Sequence, residues 1–152
     1  MKITKIGNEG INLIKRFEGL KLKPYICPAG VPTIGYGNTF YENGTRVKMT
    51  DPAITEERAT ELLKNSLISF EKYVDSYCID TITQNQFDAL VSFCFNVGPA
   101  NLKKSTLLKK VNANSNDESI RAEFMKWTKG GGRVLKGLVT RRTAEADLYF
   151  KK

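Results

Sequence analysis

The chain predicts an α+β protein, mainly helical, with a small irregular β lobe near the N-terminus and a larger helical lobe after it. Three observations carry that prediction. Apolar residues fall at helical spacings over 9–17 and again from Thr55 nearly to the end. Between those stretches, residues 20–48 hold Pro24, Pro28, Gly30, Pro32, Gly35, Gly37, Asn43 and Gly44, separated by β-prone pieces such as Tyr25-Ile26 and Thr33-Ile34. The 152 residues are 41% hydrophobic and 26% charged, enough to bury a core as one domain or two small lobes, which excludes wholesale disorder.

Each element has a local reason. Ile11, Leu13, Ile14 and Phe17 form the apolar side of a first helix over about 8–19, with Asn8 as its expected N-cap and Gly19 as its stop. Asn43-Gly44 signals a hairpin in the β lobe. After Thr55, the stripe Ala59, Leu62, Leu63, Leu67, Phe70 and Val74 predicts a long connecting helix. Thr83-Gln84-Asn85-Gln86 reads as a capping box, stapled by Ile82 and Phe87, for a helix over 87–97 that is apolar on most faces and so belongs at the centre of the helical lobe. Shorter helices are expected over 105–113, 119–129 and about 138–150. Ile120, Phe124 and Trp127 share one side of the second of these, and Gly130-Gly131-Gly132 breaks the pattern. A two-lobed form usually carries its cleft between the lobes, and Glu18 falls at that junction.

Composition removes much chemistry. There is no histidine, which excludes Ser-His-Asp and Cys-His catalysis and any zinc site needing imidazole. Cys27, Cys78 and Cys94 are odd in number and form no C-x-x-C pair, so ordinary thiols in a reducing compartment are expected. No apolar stretch approaches a membrane span, and the basic start is followed by no apolar signal core, so a soluble product that stays where it is made is expected.

Acid–base work then falls to Asp, Glu, Cys, Tyr or Lys. Most carboxylates, such as Glu56, Glu57 and Glu61, read as solvated helix charge. Glu18 stands apart, following Phe17 at a helix end just before the β lobe, where burial favours the protonated carboxyl. The competing reading, an exposed helix-end carboxylate, carries equal weight on pattern alone.

The string from Glu18 to Thr39 includes Cys27-Pro28-Ala29-Gly30 and Thr33-Ile34-Gly35-Tyr36-Gly37-Asn38. Gln86-Phe87-Asp88-Ala89-Leu90-Val91-Ser92-Phe93, Asn96-Val97-Gly98 and Gly137-Leu138-Val139-Thr140-Arg141-Arg142 with Glu145 follow in order. Together they resemble the phage endolysin lysozymes of glycoside hydrolase family 24 over almost the whole chain. The resemblance implies a lysozyme-like two-lobed fold and one catalytic domain over 1–152. It implies a muramidase that hydrolyses the β-1,4 bond between N-acetylmuramic acid and N-acetylglucosamine, needs no metal or organic cofactor, and works as a monomer. By the same resemblance Glu18 is the general acid, and Cys27 and Thr33 are the second and third catalytic members. Asn38, Asn96, Arg141 and Arg142 are substrate-binding or supporting residues. It further implies synthesis in the host cytoplasm, release to the wall through a separate holin, and no nucleic-acid partner or membrane insertion.

Two departures from the family pattern stand out. Cys27 replaces an Asp, and a free thiol with a pKa of about 8.5 is mostly protonated at neutral pH, leaving base, nucleophile and place-holder all open. Asn38 replaces a His, at an expected structural cost only. A lytic transglycosylase and a non-catalytic basic wall-binding module are the rival readings.

Charge is lopsided: the chain carries a formal +8, of which residues 77–152 hold +6. A basic patch fits nucleic acid or a polyanionic wall. The second reading is favoured, because no nucleic-acid signature accompanies the charge. Arg141 or Arg142 is expected to pair with Glu145 at helical spacing or to reach Glu18, set against the plainer reading of a weak surface pair.

Overall fold

The computed structural model describes residues 2–79 and 81–152. Helix α1 (Asn8–Glu18) leads into strands β1 (Lys21–Ile26) and β2 (Pro32–Gly35), followed by α2 (Glu56–Tyr77) and α3 (Gln84–Val97). Three short helices follow, α4 (Pro99–Lys104), α5 (Thr106–Ala113) and α6 (Ile120–Met125). The two-residue strands β3 (Lys129–Gly130) and β4 (Arg133–Val134) precede α7 (Lys136–Phe150). The fold is thus α+β and mainly helical. The chain divides into two compact units: Ile14–Ile68, and the residues up to Leu13 together with Ser69–Lys152.

In the unit Ile14–Ile68, α1 ends where Gly19 takes a left-handed φ of +76° and returns its N–H to the Lys15 carbonyl at 3.0 Å. Strands β1 and β2 pair antiparallel, with Tyr25 opposite Thr33 and Ile26 opposite Pro32. The register is irregular between Lys21 and Tyr25, the stretch that contains Pro24, which has no N–H to give a ladder. Two later turns share one construction. The Cys27 N–H bonds the Val31 carbonyl at 3.1 Å and the Gly30 N–H the Cys27 carbonyl at 2.8 Å; likewise Tyr41 N–H reaches Thr45 and Gly44 N–H reaches Tyr41. Gly30 and Gly44 have φ near +81° and +85°, and no non-glycine residue described has a positive φ. Both are therefore type I turns closed by a left-handed glycine. For Asn43-Gly44 this means that the glycine closes the turn from its last position and the asparagine keeps a negative φ. The small core here is Ile34, Val47 and Leu62, flanked by Tyr41 and Ile54.

Helix α2 buries Ala59, Leu62, Leu63, Leu67 and Val74 of the expected stripe, and its first turn is capped by Thr55, whose hydroxyl accepts the Arg58 N–H at 3.1 Å. In the other unit, Thr83 and Gln86 form the capping box, so α3 begins at Gln84 rather than Phe87, and nine consecutive residues from Gln86 to Cys94 are buried. Phe93 on α3 meets Phe124 and Trp127 edge-on, each with ring centroids 5.6 Å apart. Helix α7 packs along α3.

Two expectations are corrected. Asn8 is the first residue of α1, and the Gly7 carbonyl takes the Ile11 N–H. The cap comes from far along the chain: the buried Asp88 carboxylate on α3 accepts the Gly7 and Gly10 N–H groups at 2.9 and 3.1 Å, a long-range partner that no local pattern reveals. Pro99 opens α4, as proline does at a first helical position. The helix expected over 119–129 stops at Met125, leaving Trp127 outside it. Gly131 and Gly132 both have positive φ and form the centre of a tight turn joining β3 to β4, which takes the residues that a longer helix would need.

Candidate active site

Glu18, Cys27, Thr33 and Asn38 all belong to the unit Ile14–Ile68. Glu18 is the last residue of α1 and half-buried. The turn after β2 lies against it. Ile34 and Asn38 exchange backbone hydrogen bonds at 2.9 Å around Gly35, Tyr36 and Gly37, and the Tyr36 ring is buried with the Lys15 ammonium of α1 5.5 Å from its centroid. A Cβ at Gly37 would stand 3.5 Å from Glu18 Oε1, so the glycine leaves one side of the carboxyl open. The same turn is pressed to α2 at Gly35, where an added Cβ would lie 3.5 Å from the Ala59 methyl.

Cys27 and Thr33 meet at the β1–β2 turn. Thr33 is 2% exposed, and its hydroxyl donates to the Val31 carbonyl at 2.8 Å, the same oxygen that takes the Cys27 N–H. The same hydroxyl lies beside the Cys27 thiol. That hydroxyl first, then the Val31 N–H, draw the thiol below its ordinary value; desolvation opposes them and the Ala29 N–H adds to them. Cys78 and Cys94 behave oppositely, burial pushing them up to about 11 and about 12. Cys27, half-buried on a turn, is thus the one thiol of the three drawn below its ordinary value.

Asn38 faces elsewhere. Its amide donates to the Ser66 hydroxyl at 2.7 Å and lies 3.4 Å from the Leu62 carbonyl, tying the turn to α2. Other carboxylates of this unit have partners of their own. Arg58 forks onto Glu42 at 2.5 and 2.7 Å, and that guanidinium lowers the Glu42 carboxyl. Asp51 accepts the Tyr41 hydroxyl at 2.7 Å and the Lys48 N–H at 2.9 Å.

Asn96, Arg141 and Arg142 belong to the other unit, where the two arginines are buried and Asn96 lies exposed at the outer end of Arg142. Glu145 accepts from Arg141 Nε at 3.2 Å, from the Ser92 hydroxyl at 2.6 Å and from Arg142 Nη1. Arg142 also donates to the Trp127 carbonyl at 2.9 Å and to Asn96 Oδ1, and its guanidinium lies 5.1 Å from the Phe93 ring centroid. The weak surface pair is thus excluded: Arg142 and Glu145 are fully buried. Sequence reasoning found Arg141, Arg142 and Glu145 by spacing but missed Ser92 and the Trp127 carbonyl, which contribute through tertiary contact alone. It also missed the roles of Gly30 and the Val31 carbonyl, although Pro28-Ala29-Gly30 is a legible type I turn.

The sequence matches the phage lysozyme family over residues 15–145. Endolysin from Bacillus phage B103 is 46% identical over 95% of this chain, and the chain spans about half (54%) of that relative's length. The endolysin of Acyrthosiphon pisum secondary endosymbiont phage 1 is 40% identical over 95% of this chain and 97% of its own. A crystal structure of P22 lysozyme, a mutant form, superposes with a TM-score of 0.88 at 35% identity, covering 98% of this chain and all of the other. A lysozyme-like fold, α+β and mainly helical, defines the class. The chain belongs to the phage lysozyme family.

Proposed function

We propose that this chain is a lysozyme-like catalytic domain of an endolysin, a muramidase that hydrolyses the β-1,4 bond between N-acetylmuramic acid and N-acetylglucosamine in peptidoglycan. The observation that carries the reading is the family match over 15–145, a stretch that includes Glu18, Cys27 and Thr33. Cleavage needs an acid at the leaving oxygen and a group opposite an oxocarbenium-like centre. Glu18 gives its proton to the leaving glycosidic oxygen. Thr33 holds the water whose oxygen bonds to the anomeric carbon, and Cys27 as thiolate takes the proton that this water sheds. With Glu42 and Asp51 held by their own partners, Cys27 is the ionisable group nearest to that task. Asn38 supports the turn beside Glu18, and Asn96, Arg141 and Arg142 support the helical unit. The chain acts as a monomer without metal or organic cofactor, is made in the host cytoplasm and reaches the wall through a separate holin. Its excess of positive charge steers it to the polyanionic wall.

Digestion of purified peptidoglycan tests this reading. Reducing N-acetylmuramic acid ends, identified by mass spectrometry, are expected, with a rate that falls as salt is raised from about 0.05 to 0.5 M. Anhydro ends make the enzyme a lytic transglycosylase, and salt-sensitive binding without products leaves a wall-binding module. For Cys27, replacement by Asp is expected to retain turnover, because an ionised carboxylate can take the same donors. Replacement by Ala is expected to lose roughly ten-fold or more, since the general base contribution it removes is of order 10²–10⁴. Equal turnover of the Ala variant reduces Cys27 to a place-holder.

A further inference from the structure

The two type I turns of the β lobe are alike in backbone, yet only one carries chemistry. In each, a glycine with φ above +80° closes the turn from its last position, and in each an added Cβ meets nothing within 4 Å. Any other residue there pays in backbone strain and not in steric overlap. At Tyr41–Thr45 the turn ends at an exposed hairpin tip. At Cys27–Val31 the closure sets where the Val31 carbonyl points, and that oxygen receives both the Cys27 N–H and the Thr33 hydroxyl.

A threonine hydroxyl has one proton and two lone pairs. While its proton is held by the Val31 carbonyl, Thr33 Oγ1 presents only lone pairs to anything else that approaches it, and a water bound there must donate. When the proton is turned onto the Cys27 sulfur instead, that orientation is lost. The direction of the Thr33 hydroxyl is therefore fixed by a main-chain oxygen, and the place of that oxygen is fixed by the left-handed residue before it. We infer that Gly30 is a positioning residue for the hydrolytic site: by closing the Cys27–Val31 turn it aims the Val31 carbonyl, which commits the Thr33 proton and seats Cys27 beside it. The inference rests on the proposal that Cys27 and Thr33 handle the attacking water.

Gly44 supplies the control within the same chain. Gly30→Val, Gly30→Asn and Gly44→Val are compared in the full chain by thermal unfolding, by peptidoglycan turnover, and by the rate of Cys27 alkylation with iodoacetamide at neutral pH, mapped by mass spectrometry. Cys78 and Cys94 are buried and stay unlabelled in folded protein. Gly30→Val and Gly44→Val are expected to lower the melting temperature alike. Gly30→Val alone is expected to lower kcat roughly ten- to a hundred-fold with little change in KM, the scale of an ångström's misplacement, and to slow Cys27 alkylation. Asparagine tolerates the left-handed region, so Gly30→Asn is expected to recover most of both losses. Alkylation and turnover in Gly30→Val that match Gly44→Val overturn the inference. Slowed alkylation with unchanged turnover overturns instead the reading of Cys27 and Thr33 as the water-handling pair, and the inference with it.

Discussion

Replacing Glu18 with Gln is expected to lower release of reducing ends from peptidoglycan by roughly 10²–10⁴-fold, the usual contribution of a general acid, while the protein stays folded. The side chain keeps its length and shape, so its seat beside Gly37 is undisturbed; only the transferable proton is lost. Glu18 ends α1, where the helix dipole is negative and a carboxylate is unfavourable by roughly 0.3–1 kcal/mol. Neutralising it is therefore expected to leave the melting temperature unchanged or slightly raised. Activity lost with stability kept separates a catalytic carboxyl from a helix-end charge. A variant that digests wall at the wild-type rate places the acid elsewhere, and one that loses activity only by unfolding makes Glu18 a structural residue. Glu18→Asp sharpens the comparison, since it retains a proton but withdraws it by about 1.5 Å, the length of one carbon–carbon bond.

What the sequence revealed follows a physical line. Periodicity and local punctuation found α1, α2 and α3, because each has a stripe or a cap whose partners lie within a few residues, as Thr83 and Gln86 do. It failed where partners come from afar. The N-terminus of α1 is held by Asp88, roughly eighty positions away, so the local candidate Asn8 drew the expectation instead. It overran at 126–129, because the breaker at Gly130–Gly132 has two physical outcomes, a loop or a tight hairpin. Only the pairing of Lys129 with Val134 decides between them. The site divides likewise. Glu18, Cys27 and Thr33 were legible through a family resemblance, and Glu18 partly through its place at a helix end. The bond from Thr33 to a main-chain carbonyl was not, since side-chain spacing says nothing about where a carbonyl points.

Asn38 shows how a departure from pattern becomes legible in packing. A neutral amide at this position bonds the Ser66 hydroxyl and the Leu62 carbonyl, so the turn carrying Gly37 is anchored to α2 without an ion pair. Its other amide atom, Oδ1, is buried and without a hydrogen-bond partner among the described residues. An orphaned acceptor has a desolvation cost, which is the expected structural price of the substitution. The turn nevertheless keeps its place because Tyr36 and Gly35 pack it from both sides.

Glu145 is expected to matter most for stability. Its carboxylate faces two guanidiniums and the Ser92 hydroxyl in a region with no exposure. Desolvation pushes the Arg142 guanidinium downward and the Glu145 carboxylate holds it up, so the pair survives burial only as a pair. Glu145→Gln removes the compensating charge and turns an N–H₂ toward donors that need an acceptor. Breaking one side of a buried pair costs about 3–5 kcal/mol, which for a domain of this size lowers the melting temperature by roughly 10–15 °C. Asn96→Ala, at an exposed residue holding only the outer end of Arg142, is expected to cost about 1 kcal/mol. Differential scanning calorimetry decides between this and a functional role. If Glu145→Gln melts with the wild type but loses turnover, the cluster serves the substrate and not the core. If it melts early while the surviving folded fraction turns over normally, Arg141, Arg142 and Asn96 are supports. Replacing Arg142 by Leu is not the harmless swap that burial alone suggests, because it also strips the Trp127 carbonyl of its donor.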